Sequence, residues 1–268
     1  MKRTYILPFA FFLLFVSSFL SAQTGITVGP PRTYFTTQAG ESQTQKLIVS
    51  NPSKSGSMNL VVSFNDWSYD KNGSNVVADS GTLPTSLSGW LVVMPQTFFT
   101  LAPGESKELE VTLTAPTSYD PNVPVRTALL YITQTNPADS FNEKGALIKV
   151  SVRTGVKIYH RFAMEARNPD LQFTGFKYEK DSKSLKLSFD NTGNVWTDGM
   201  ITSELISQAD GSTIKLEDQA IYTMPGDQRE LVLPLPKDLK PGKYIATSTF
   251  SHSEKDVIKM AELTFTHE

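Results

Sequence analysis

"GALIKVSVRTGVKIYHRF", residues 145–162, sets Ile148, Val150 and Val152 in alternation with Lys149, Ser151 and Arg153, then adds Lys157, His160 and Arg161 in quick succession. A period of two over this length specifies a β-strand with one apolar face. The alternation fits two placements equally: the three apolar residues turn into their own sandwich, or they are offered to another chain. The dense basic end is the anomaly, because a strand that only lines a core has no use for it.

Outward from this stretch the same pattern recurs. "QKLIVSN" (45–51), "NLVVSFNDW" (59–67), "GWLVVMP" (89–95), "ELEVTLTAP" (108–116) and "RTALLYITQ" (126–134) are short, rich in Val, Ile, Leu and Thr, and mostly alternating. Turn residues punctuate them in "NPSKSG", "DKNGSN", "LAPGES" and "SYDPNVP". After "ARNPD" (166–170) a second series follows: "LQFTGFKYEK", "SLKLSFDN", "MITSELISQ", "STIKLEDQAIYTM", "RELVLPLP", "KYIATSTFSH" and "IKMAELTFTH". Asp210-Gly211 is a hairpin turn signal within it. No window holds a helical period. Strands spaced by about 8–12 residues with turns between them predict β-sandwiches.

The two series echo each other. "LAPGESKELEVTL" (101–113) parallels "TMPGDQRELVLPL" (223–235), and "SNPSKSG" (50–56) parallels "DNTGNVW" (190–196). The expected fold class is therefore all-β: two immunoglobulin-like β-sandwich domains in tandem, residues 23–164 and 165–268, joined near Met164–Asp170.

Residues 1–22 are read as a secretory signal peptide. Lys2 and Arg3 precede the apolar "ILPFAFFLLFV", and a cut after Ala22 follows "SFLSA". The apolar run is short for a membrane span, and no later segment approaches the roughly 20 apolar residues a spanning helix needs. Loss of Lys2 and Arg3 takes the formal net charge from −2 to about −4, which calls for neither nucleic acid nor an anionic membrane. There is no cysteine, so disulfides, thiolate metal sites and a lipidated signal are excluded. The remaining chain, about 246 residues, suits two domains of about 120 each.

Catalytic signatures are missing. His160, His252 and His267 have no metal-ligand spacing and read as surface or edge-strand residues, with His267 in a tail. "DKNGSN" (70–75) lacks the spaced carboxylates and terminal Glu of a calcium loop and reads as a hairpin turn. No nucleophile elbow, phosphate loop or dinucleotide fingerprint occurs. Trp67, Trp90 and Trp196 read as core. Nothing argues for an enzyme, a metal or another cofactor.

Several pieces, in order, resemble the periplasmic chaperones of the chaperone–usher pathway, the PapD-like family. They are "PPRTYF" (30–35), "LIVSNP", "NDW", "GWLVVMPQTFFTLAPGESKELEV", "NVPVRTALLYI" (122–132) and "VKIYHRF" (156–162), together spanning roughly residues 26–165. The resemblance implies a periplasmic protein that lends a strand to an unfinished pilin-like subunit and passes it to an outer-membrane usher-type assembly protein. It matches Ile148, Val150 and Val152 to the donated apolar residues. It matches Arg32 and Lys157 to the pair that anchors the client's C-terminal carboxylate. Arg161 matches the family's domain-orienting Arg, but Thr127 stands where that Arg's acidic partner is usual. The second half, with "LSFDNTGNVWTDGMI" and "LKPGKYIATSTF", is similar to a generic bacterial Ig-like module instead. A long unprotected edge also encourages two free molecules to pair as a self-capping dimer. The alternative reading is a secreted two-domain Ig-like structural or adhesive envelope protein without chaperone activity.

Overall fold

The computed structural model describes residues 25–163, 166–253 and 258–268. The expected signal segment, and residues 164 and 165 of the expected joint, lie outside them. Twelve strands precede the joint: β1 (Thr27–Gly29), β2 (Arg32–Thr37), β3 (Ser42–Ser50), β4 (Met58–Tyr69), β5 (Asn75–Ala78), β6 (Leu91–Met94), β7 (Phe98–Leu101), β8 (Ser106–Thr114), β9 (Val125–Gln134), β10 (Ala138–Phe141), β11 (Leu147–Val150) and β12 (Arg153–Phe162). Eight follow it: β13 (Leu171–Glu179), β14 (Ser184–Asn191), β15 (Thr197–Ser207), β16 (Thr213–Lys215), β17 (Gln219–Thr223), β18 (Gln228–Pro234), β19 (Gly242–His252) and β20 (Ile258–His267). Among the described residues every strand pairing stays within one set or the other.

In the first set a sheet ordered β1-β3-β8-β6 faces a sheet ordered β2-β12-β9-β4, with β5 and β7 also paired to β4. Alternation does the folding. Leu47 and Val49 of β3, and Leu109, Val111 and Leu113 of β8, turn inward and meet Leu60, Leu130, Ile132 and Ile158 of the other sheet. Truncating any one of these buried aliphatics to Ala costs about 2–5 kcal/mol. β9 is buried almost continuously instead of alternating. It is central in its sheet, and a second apolar layer of Trp67, Leu129 and Tyr159 covers its other face.

Asp66 fixes the loop that closes this domain. Its carboxylate is fully buried and accepts from the Thr82 and Leu83 amides (2.8 and 2.9 Å) and the Ser86 and Ser88 hydroxyls (2.7 and 2.8 Å). Burial alone would raise its pKa. These bonds stabilise the anion and hold it below the ordinary value.

In the second set a sheet ordered β13-β14-β18 faces one ordered β16-β15-β19-β20, with β17 also on β15. The internal echo of the sequence becomes a repeated corner. Asn51 donates its amide N–H to Glu105 O and accepts from Gly104 N at its own carbonyl, both at 2.9 Å. Asn191 does the same with Asp227 O (2.9 Å) and Gly226 N (3.0 Å). In each corner the acidic side chain caps the amide three residues before it: Glu105 on Ala102, Asp227 on Met224. Gly104 and Gly226 have φ of +73° and +82°, which L side chains resist.

Several expectations need correction. The stretch 145–162 is two strands, because the chain turns at Ser151–Val152. The Val152 carbonyl accepts from Gln134 N (2.9 Å), and the Val152 side chain packs half-buried against the domain core. "STIKLEDQAIYTM" likewise divides into β16 and β17. The histidines are buried rather than surface residues. His160 is enclosed between Thr37, Trp90 and Phe162, and His267 ends β20 with its Nδ1 2.9 Å from the Tyr178 hydroxyl. Trp67 is core, whereas half-buried Trp196 sits where the two domains meet, against Tyr34 and Tyr159.

Candidate functional site: an open strand edge ending at two cations

Pro30 and Pro31 have no N–H to give a ladder, so the first edge strand is interrupted there: β1 joins one sheet and β2 begins at Arg32 in the other. β2 runs parallel to β12, and its first residue, Arg32, pairs in register with Lys157. Register partners on neighbouring strands share a face about 4.8 Å apart. The same face carries the pairs Tyr34–Tyr159 and Thr36–Arg161.

Lys157 is held from below. Its ammonium donates to the Tyr69 hydroxyl (3.0 Å) and Asn75 Oδ1 (2.6 Å), and lies 4.0 Å from the Trp67 ring centroid and 4.4 Å from that of Tyr69. These acceptors use two of its three donors. Burial, then the positive charges of Arg32 and Arg229, push its pKa down to about 8. Arg32 lies over the Tyr222 ring, 4.2 Å from its centroid, and Tyr222 belongs to the second domain. Among the described residues no carboxylate forms an ion pair with Arg32 or Lys157. The cleft around Arg32 is walled by Tyr34, Tyr69, Tyr159, Trp196 and Tyr222. Asp198 also lines this cleft, and Lys157 stands beside it as the register partner of Arg32, so two neighbouring cations border an aromatic wall, an arrangement suited to a carboxylate.

Beyond Lys157 the edge opens. The Lys157 amide donates to Pro31 O (3.2 Å), so by the period of two Gly155 and Arg153 turn their backbone groups to the same side. Among the described residues no strand pairs with β12 there, nor with the corresponding edge of β11, whose other side pairs with β10. Ile148 and Val150 are 39% and 40% exposed on this hairpin, beside Leu147 and Phe141 at 60% and 70%. Val152 is set apart from them, half-buried in its own domain.

Arg161 lies on the cation-bearing face but well away from Arg32, in a small cleft with Tyr119, Pro124, Arg167 and Val195. Its Nη1 makes a long contact to Phe162 O (3.4 Å), and among the described residues it joins no ion pair. Arg126 bonds Pro84 O (2.8 Å) instead, and Thr127 is buried with its hydroxyl toward Trp67 O. Sequence reasoning missed Tyr69, Asn75, Trp196, Tyr222 and Arg229. Only the turn at 70–75 carried a local signal, and it spoke of geometry, not of the site.

No family model matches the chain, and no curated protein matches it. Among solved structures it is similar to the YadV chaperone, with a TM-score of 0.50 and 13% identity over 90% of this chain and 99% of that one. It is also similar to the CsuC–CsuE chaperone–tip adhesion subunit complex of Acinetobacter baumannii, with a TM-score of 0.49 and 10% identity over 88% and 97% of the two chains. For the E. coli chaperone DraB the values are 0.46 and 17%, over 91% and 98%. The chain has the fold of the PapD-like chaperones: two immunoglobulin-like β-sandwiches in tandem.

Proposed function

We propose that this protein is a periplasmic chaperone that binds an unfinished, strand-deficient β-sandwich subunit along β11 and the start of β12, and delivers it to an outer-membrane assembly protein. The observation that carries this reading is the meeting of a strand edge left unpaired among the described residues with two cations that form no ion pair among them. A client strand laid on that edge gains backbone hydrogen bonds, while Ile148 and Val150 reach into its open core. Its C-terminal carboxylate, received by Arg32 and Lys157, fixes the register, because a one-residue slip turns every side chain to the wrong face. Each charge-assisted bond contributes about 1.5–3 kcal/mol. The YadV likeness supports the same reading through the fold. Release needs no nucleotide when the client reaches a better-packed final partner.

The test is co-expression with a candidate strand-deficient subunit, sought first among the genes beside this one. The subunit accumulates with the parent protein and is lost with Arg32→Ala, Lys157→Ala or Val150→Asp. The Val150→Asp protein itself stays folded, since its side chain lies on an exposed hairpin. Equal accumulation in all cases, or the lack of any such subunit gene, returns the protein to the alternative of a two-domain structural or adhesive envelope protein.

A further inference from the structure

The two domains meet through an arginine that the resemblance did not point to. Arg229 of β18 is 8% exposed, and its Nη1 donates to Tyr222 O (2.8 Å) and lies 3.7 Å from Asp227 Oδ2. Its guanidinium crosses to the first domain, where it stacks on Tyr69 with Cζ 5.0 Å from the ring centroid. It also reaches under the hairpin turn of Asp70–Ser74. A Cβ on Gly73 would run into Arg229 Nη2, and Gly73 has a φ of +90°. The backbone therefore requires glycine there, and any side chain would also have to push the guanidinium aside. Next to it the Glu230 amide donates to Lys71 O (2.7 Å), and Lys71 Nζ lies 3.7 Å from Glu230 Oε2. Asp70 shapes the turn by accepting from the Asn72 and Ser74 amides.

We propose that Arg229, seated under the 70–74 turn, is the positioning residue that sets the angle between the two sandwiches and, through Tyr69, the placement of Lys157. Tyr69 lies between the two cations, stacked on by Arg229 and bonded to Lys157. Arg161 makes no ion pair among the described residues, and this clamp occupies the orienting role instead. The same clamp holds Tyr222 over Arg32, so it shapes both halves of the cation cleft. Its bearing on client capture rests on the reading above; the domain angle itself does not.

The experiment uses the free protein, so no client enters. The chain has no cysteine, and cysteines placed at exposed Glu110 and Lys177 report the distance between the domains through paired spin labels. The parent should give one narrow distance. Arg229→Met and Gly73→Val should each broaden and shift it, with both domains still folded. In both variants the Lys157 titration, followed by NMR, should move from about 8 toward the ordinary 10.5, because the second cation has left or been displaced. A residue that only supports its own sandwich would leave the distance unchanged, although loss of its charge alone would still raise the Lys157 titration. If Arg229→Met does not fold, Gly73→Val, which alters the other domain, decides alone. An unchanged distance distribution in a folded variant would overturn the proposal.

Discussion

Lys157 gives the sharpest functional prediction, because its charge depends on an environment that a client would change. In the free protein its pKa is pushed down to about 8. The cationic fraction is then about 0.9 at pH 7 and about 0.1 at pH 9. A client carboxylate beside the ammonium favours the charged form and raises the pKa in the complex. Client affinity should therefore stay nearly level up to pH 7 and fall about tenfold by pH 9, a loss of about 1.4 kcal/mol. Lys157→Arg should bind without that slope, since a guanidinium stays charged throughout. Lys157→Met should bind more weakly than the parent at pH 7, by about 1.5–3 kcal/mol, with the gap narrowing toward pH 9 as the parent loses its charge. Calorimetry of the purified subunit against each variant, in buffers from pH 7 to 9, reads all three. A level profile for the parent, or the same slope in Lys157→Arg, would refute the reasoning.

Two further predictions concern stability. His160 is buried, and burial, then Arg126 and Arg161, hold its pKa at about 4 against an ordinary 6.5. The unfolded chain binds the extra proton first, so stability should fall as pH drops from about 6.5 through 4, by up to about 3 kcal/mol. Urea unfolding of the parent and of His160→Gln should show a shallower acid slope in the variant, and equal slopes would count against it. Asp66→Ala leaves two amides and two hydroxyls without their acceptor and should destabilise the first domain by about 3–5 kcal/mol, read from the urea midpoint of tryptophan fluorescence in a background where Trp196 is replaced by Phe. A loss under about 1 kcal/mol would show that the loop finds other partners.

Much of the architecture was legible because alternation is a local signal. Leu47 and Val49, or Leu187 and Phe189, announce their faces without reference to anything distant. The echo of "LAPGESKELEVTL" with "TMPGDQRELVLPL" was legible because a Pro-Gly turn with a capping acid is fixed by a few adjacent residues. The break at Ser151–Val152 was not, since it depends on Gln134 taking the Val152 carbonyl from another strand. His160 could have been placed by parity: it shares its face with Ile158 and Phe162, both buried. The pairing of Arg32 with Lys157 came through resemblance, because nothing local links residues so far apart in the chain. Tyr222 and Arg229 stayed out of reach for the same reason. Their importance comes from a contact between two domains, and no periodicity records it.

Hydrogen exchange of the protein alone and in complex with its subunit tests the lent strand most directly. The amides of residues 147, 149, 153 and 155 should exchange readily in the free protein and become protected in the complex, with protection stopping where β2 already pairs at Lys157, whereas those of 148 and 150 already face β10. Protection that appears on another edge, such as β6 or β20, with residues 147–155 unchanged would contradict the account.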